Sequence, residues 1–230
     1  MELLGSKRVD RKQLIYGVVG AAVIALAVVA YFVIWGDSGS DSVQAGSGPI
    51  AIAAGEHTLG NKNAPLQVVE YAAPVCPHCA RFNAEVFPKF KAEYIDTGKV
   101  YYIFRVFPLH PADIAAEGMA RCLPKDNYFQ FIDLMFRNQS KWDPEYGVQD
   151  IHGALVGMGR IAGMSAEKVD ACIADPKVQA EVQKAGEDAQ TLYEIHGTPS
   201  FLFDGELVRS GEFPWEDLKV EVDKRLAKKK

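Results

Sequence analysis

The stretch LQVVEYAAPVCPHCARF, residues 66–82, decides how this chain is read. Residues 66–72 are short, mostly apolar and centred on Val68-Val69, the pattern of a buried strand, and they run into a Pro-Val-Cys turn. Pro77 then opens a helix, because proline at the first helical position already has the required φ and lacks an N–H that would have no partner. Cys76 is therefore the helix N-cap. A sulfur there faces unsatisfied backbone N–H groups and the positive end of the helix macrodipole, and His78 adds a donor or a positive charge beside it. Cys79, one turn on, shares that helical face and lies within disulfide reach of Cys76. These features favour thiolate over thiol at Cys76, and a thiolate is both nucleophile and good leaving group in thiol–disulfide exchange. Cys76 and Cys79 are the candidate catalytic residues, modulated by Pro77 and His78.

Other uses of a C-x-x-C motif fit less well. A zinc site needs a second Cys/His pair at ligand spacing, and the remaining cysteines, Cys122 and Cys172, stand far apart, so no metal site is expected. A static disulfide at this spacing closes too short a loop to stabilise much.

Outward from the motif, residues 100–107 (VYYIFRVF) carry the strongest strand signal in the chain, and Pro108 ends it. The helix from Pro77 should reach about Asp96, with a kink or break at Pro88. Residues 112–195 lack strand signals and repeat helical spacings such as Phe129, Ile132, Met135/Phe136 and Ile151, Leu155, Met158, Ile161, with breaks at Pro124, Asp143-Pro144, Gly163 and Pro176. Phe201-Leu202-Phe203 and Glu206-Leu207-Val208 flank Asp204-Gly205 as a hairpin, and a last amphipathic helix follows Pro214. Strands interleaved with helices predict an α/β class with an all-helical insertion.

The N-terminal segment has a different composition. Residues 14–35 hold no charge and would make a helix of about 33 Å, enough for a hydrocarbon core of about 30 Å. Lys7, Arg8, Arg11 and Lys12 precede it, Asp37 and Asp41 follow, and Tyr31 and Trp35 suit the far interface. The positive-inside tendency keeps residues 1–13 in the cytoplasm and exports the rest, giving a single-pass protein of the inner membrane with its folded part in the periplasm. A cleaved signal peptide is the competing reading, but the run is longer than a usual h-region and closes on bulky Tyr-Phe-Val-Ile-Trp. Residues 36–48 are Gly/Ser-rich, a tether spanning about 20 Å. The folded part then divides into 49–110 with 190–230, around a helical insertion at 111–189. The whole chain, with 48% hydrophobic and 24% charged residues, has an ordinary globular composition, and its net charge of −5 gives no attraction to nucleic acid.

The segments Thr58–Phe82 and IHGTPSFLFDG (195–205) together resemble the DsbA family of thioredoxin-fold thiol–disulfide oxidoreductases, over about residues 56–226. The resemblance implies a thioredoxin sheet split by a helical domain, Cys76 as the exposed attacking cysteine and Cys79 as the buried resolving one. It also makes Pro199 a cis-proline facing the pair, with Thr198 before it, both at the substrate site. Glu70 would be an acid beneath the site that assists proton transfer, although alternation could equally put it on a polar strand face. The implied partners are reduced or unfolded exported proteins and a quinone-linked membrane oxidase of the DsbB type, with no cofactor. Independently of the family, Gly197-Thr198-Pro199 precedes a strand in a turn where an X-Pro bond tolerates cis, and the backbone at Pro199, free of pairing, could bond an extended substrate as an added strand; an ordinary trans turn proline is the competing reading.

Cys122 and Cys172 fall in the helical insertion, as either a static disulfide of an exported protein or two buried thiols; some alphaproteobacterial DsbA-like proteins carry a second pair there. Substrate contact is expected to be apolar and centred on Phe107, Phe201 and the active-site rim. His57, His110, His152 and His196 lack acid or serine partners at informative spacing and read as loop or surface residues. Two other functions stay open. One is a disulfide isomerase or reductase of the same fold, since isomerases of this superfamily often carry threonine before the proline where enteric DsbA proteins carry valine. The other is a metallochaperone, which would need a third soft ligand, and no methionine neighbours the motif.

Overall fold

The computed structural model describes residues 48–52 and 56–229. The expected cytoplasmic N-terminus (1–13), the membrane helix (14–35) and all but the last residue of the tether (36–48) lie outside the described residues, among which no helix is long and apolar enough to cross a membrane.

Among the described residues five strands form one sheet: β1 (His57–Leu59), β2 (Leu66–Ala72), β3 (Val100–Val106), β4 (Ser200–Phe203) and β5 (Glu206–Ser210), in the order β1-β3-β2-β4-β5. β2 and β3 are parallel and the other neighbours antiparallel. All seven residues of β2 are buried, because both faces of this central strand are covered; that is why its sequence shows little alternation. β1 escapes sequence reading because three residues at a sheet edge carry no period. The Asp204-Gly205 turn has positive φ at both residues (48° and 84°), as a two-residue hairpin requires, and its strands run slightly longer than predicted.

The helices are α1 (Pro77–Glu85), α2 (Phe87–Phe90, continued by a wide turn over Lys91–Ile95), α3 (Pro111–Arg121), α4 (Tyr128–Arg137), α5 (Gln139–Trp142), α6 (Ile151–Ile161), α7 (Ala166–Ile173), α8 (Pro176–Tyr193) and α9 (Trp215–Ala227). The break expected at Pro88 is present and falls two residues upstream, at Val86. A proline at 88 cannot donate to the carbonyl of residue 84 and its ring crowds it, so the chain realigns just upstream. The breaks at Pro124, Asp143-Pro144, Gly163 and Pro176 separate helices as read, and Asp175 caps α8 through the N–H groups of Lys177 and Val178. In α6 Leu155 and Met158 are buried, whereas Ile161, at the helix end, is exposed.

On one sheet face Val69, Tyr71, Ile103 and Leu202 pack with Ala189 and Tyr193 of α8. The other face joins Val68, Tyr102, Phe104, Phe201 and Phe203 to α1, α2, α9 and the helical insertion in one larger core. Aromatic contacts of Phe104 with Phe129 and Phe136 seat α4 against the sheet. Cys122, the C-cap of α3, is bonded to Cys172 in α7, with Cα atoms 6.0 Å apart. Gly118 permits this approach: a Cβ there would lie 2.7 Å from the Cys172 carbonyl oxygen. The histidines are placed more variously than read. His57 lies on β1 with its ring stacked on Tyr128, and His110 caps α3 by accepting from the Ala112 N–H. His152 pairs with Asp170 on the surface, and His196 is exposed.

Candidate active site

Cys76 is the N-cap of α1, with an extended backbone (φ −73°, ψ 119°) and Pro77 in the first turn. The backbone N–H groups of His78 and Cys79 are thereby turned back towards its sulfur. Cys79, wholly buried one turn later, donates its S–H to the same sulfur. That bond is the largest influence holding the Cys76 thiol down to about 5 from an ordinary 9.0; burial opposes it, and Thr198 and the two N–H groups add to it. Burial, reinforced by the Cys76 sulfur and Glu70, pushes Cys79 well above the ordinary thiol range. One sulfur is thus held as an anion and its neighbour as a thiol, and both are unbonded. The resemblance implied an exposed attacking cysteine, but Cys76 is only 5% exposed, against 0% for Cys79. The preference for Cys76 as the reachable atom is real but narrow.

His78 departs from expectation. Its backbone, not its ring, serves the sulfur; the ring Nδ1 lies 2.7 Å from Glu212 Oε1, in the loop between β5 and α9, and Glu212 also pairs with Arg81. A carboxylate can only accept, so Nδ1 donates.

The Thr198–Pro199 peptide is cis and precedes β4, whose pairing with β2 brings it to the cysteines. The Thr198 carbonyl oxygen stands 3.5 Å from Cys76 Sγ and accepts from the thiol. The Thr198 hydroxyl is buried with no hydrogen-bond partner among the described residues, a donor available to the thiolate. The two groups act in opposite senses on one sulfur. The expectation that Pro199 itself offers unpaired backbone is corrected: it has no N–H, and its carbonyl is taken by the Gly211 N–H at 2.7 Å.

Glu70 is 2% exposed on the same sheet face as Val68 and Ala72, so the polar-face alternative does not hold. Its Oε2 accepts from the Tyr102 hydroxyl at 2.6 Å. Burial raises its carboxyl to about 8, the Tyr102 bond partly offsetting this and the Cys76 charge adding to it, so it holds a proton at neutrality. A cavity of about 220 Å³ is lined by Glu70 and Tyr102 within and by the solvent-exposed Lys91 and Arg137 at its rim. Tyr102 was not singled out in the sequence, where it is one of two adjacent tyrosines in a strand that also carries Arg105.

A family model described as thioredoxin matches residues 53–224. The chain belongs to the thioredoxin family. Within that family it is DsbA-like, as the sequence resemblance implied: it superposes on Wolbachia pipientis alpha-DsbA1 with a TM-score of 0.70 and 28% identity, covering 77% of this chain and 94% of that one. It is also similar to a protein-disulfide isomerase from Novosphingobium aromaticivorans (TM-score 0.67, 26% identity, 76% and 99% covered). A candidate protein-disulfide oxidoreductase of Rickettsia bellii is 31% identical over 173 residues, which are 75% of this chain but only 65% of that protein's length.

On this DsbA-like frame the apolar surface beside the cysteines differs from the one expected. Phe107 and Phe201 are 4% and 1% exposed and cannot meet a substrate, because each faces a covered side of the sheet. Phe201 instead supports a groove from beneath, its ring 4.8 Å from Phe82 and 5.3 Å from Phe213. That groove, of about 120 Å³, is floored by Phe82, Val86 and Phe213 and rimmed by His78, Arg81 and Glu212.

Proposed function

We propose that this chain is a thiol–disulfide oxidase that introduces disulfides into exported proteins, anchored in the inner membrane by residues 14–35 with its catalytic domain in the periplasm. The observation that carries the reading is the placement of the Cys76 sulfur at the N-cap of α1, beside Cys79 and 3.5 Å from the Thr198 carbonyl oxygen, an arrangement that lowers its thiol to about 5. A stabilised reduced form makes the corresponding disulfide a strong oxidant.

In the oxidised enzyme a substrate thiolate attacks Cys76 Sγ, the Cys76–Cys79 bond breaks, and a mixed disulfide forms. Cys79 leaves as an anion in a buried site that disfavours it, so it takes a proton; Glu70, protonated at neutrality, is the nearby acid, and its cavity allows that proton to be replaced from solvent. A second substrate thiolate then attacks the substrate sulfur and expels Cys76 as the thiolate. Two electrons pass from substrate to the cysteine pair, and the substrate gains one disulfide. Unfolded substrate lies along the Thr198 backbone and the groove floored by Phe82, Val86 and Phe213. Return to the disulfide requires an external oxidant, for which a quinone-linked membrane protein of the DsbB type is the partner proposed.

Isomerase or reductase action is the second reading, favoured by Thr198 before the proline and by the likeness to the Novosphingobium isomerase. Reduction potential, insulin reduction and refolding of scrambled ribonuclease separate the two. An oxidase shows a potential far more oxidising than thioredoxin's and oxidises reduced unfolded protein quickly while reducing insulin slowly. A potential close to thioredoxin's rejects the oxidase.

A further inference from the structure

The turn that carries Cys76 is short of internal bonds. Within it the Cys76 N–H reaches the Ala73 carbonyl at 2.9 Å, but the Pro74 carbonyl and the Val75 N–H point outward. Both are met by the helical insertion. Asp113, in the first turn of α3 and fully buried, accepts from the Val75 N–H at 2.9 Å, and its other oxygen accepts from the N–H groups of Leu109 and His110. Gln139, which opens α5 and is 5% exposed, donates from Nε2 to the Pro74 carbonyl at 2.8 Å and to the Cys76 carbonyl at 3.0 Å.

Asp113 has a sufficient local role, since it completes the cap of its own helix. Gln139 does not: both of its amide hydrogens go to the turn, more than sixty positions away in the chain. Its two bonds bracket residue 76, one on the carbonyl of Pro74 and one on the carbonyl of Cys76 itself. The torsions between those carbonyls set where the sulfur stands over the N–H groups of His78 and Cys79. We propose that Gln139 is a positioning residue for the reactive sulfur: through its side-chain amide the helical insertion holds the Pro74–Cys76 turn where the α1 N-terminus can stabilise a thiolate. The inference rests on the reading of Cys76 as the reacting atom.

The test is the pH dependence of Cys76 alkylation in the reduced full chain, for wild type, Gln139→Met and Trp142→Phe. Methionine keeps the volume and removes both donors. Trp142 lies in the same short helix, wholly buried, and its indole N–H bonds Met135 rather than the turn, so Trp142→Phe loosens α5 without touching the Cys76 carbonyl. Gln139→Met should raise the midpoint by about one pH unit, roughly tenfold less thiolate at a fixed pH below it. Its equilibrium with glutathione should move in step, about tenfold towards the disulfide. Trp142→Phe should lower the melting temperature and leave the midpoint in place. A folded Gln139→Met that titrates like wild type, or a Trp142→Phe that shifts as far, overturns the proposal while the oxidase reading stands. A wild-type midpoint in the ordinary thiol range overturns both. If Gln139→Met does not fold, hydrogen exchange of the wild-type Gln139 side-chain amide decides: slow exchange supports the two buried bonds, and exchange at the rate of an exposed amide overturns them.

Discussion

The two cysteine pairs of this chain sit at opposite ends of helices. Cys76 caps the N-terminus of α1, where unsatisfied N–H groups and the positive end of the dipole favour a thiolate. Cys122 caps the C-terminus of α3, where the exposed carbonyls disfavour one. The first pair closes a loop too short to matter and is unbonded; the second spans 50 positions and is bonded. A disulfide is labile where the helix rewards its reduced form and durable where it does not. The same residue type thus serves reaction in one place and architecture in the other.

The largest effect that would test this contrast is the dependence of stability on redox state and pH. The Cys76 thiol is lowered from 9.0 to about 5 in the folded reduced protein. A depressed acid contributes stability that is full above its unfolded value and lost as pH falls through the folded one. The reduced form should therefore gain on the disulfide form as pH rises from about 5 to about 9, by as much as about 5 kcal/mol. Glu70 titrates in both forms and largely cancels. Denaturant unfolding of the two forms across that range measures the gap, and a flat gap would break the contrast at the first pair.

At the second pair, replacing Cys122 and Cys172 by alanine should cost about 4 kcal/mol of stability, roughly 10 °C in melting temperature. The Cys76 alkylation midpoint should stay where it is. A midpoint that moves with the architectural disulfide would show the two pairs to be coupled, not separate.

Glu70→Gln sharpens the reactive side with a smaller effect. The Glu70 carboxyl is raised from 4.5 to about 8, so its penalty is absent at pH 4 and grows as pH rises through that interval. The variant should match wild type near pH 4 and exceed it by about 3 kcal/mol at pH 7, with slower exchange at the cysteines. A stability gain that does not depend on pH would mean that Glu70 is not the buried acid described.

Much of the fold could be read because its signals are local. The strand at 66–72, the turn, Pro77 at the helix start and the Asp-Gly hairpin each follow from the preferences of a few adjacent residues. What failed was what local preference does not control. The helix break fell at Val86 rather than Pro88 because the bond that proline cannot make belongs to the preceding turn. Phe107 and Phe201 were assigned to the surface because aromatic residues near a site look like contacts until the elements covering them are known. Glu70 could not be given a face in a strand buried on both sides, and Tyr102 becomes its partner only through the pairing of β2 with β3.

The chain alone determined that one sulfur would stand at a helix N-terminus, because strand, turn, proline and helix are consecutive and the field of the first helical turn needs nothing else. Only the tertiary structure decided what surrounds that sulfur. Thr198 comes to it from 122 positions away, Glu70 from the sheet beneath and Gln139 from the inserted helices. Such contacts arise where burial strips water from polar groups and leaves them each other as partners, a condition that no stretch of sequence carries by itself.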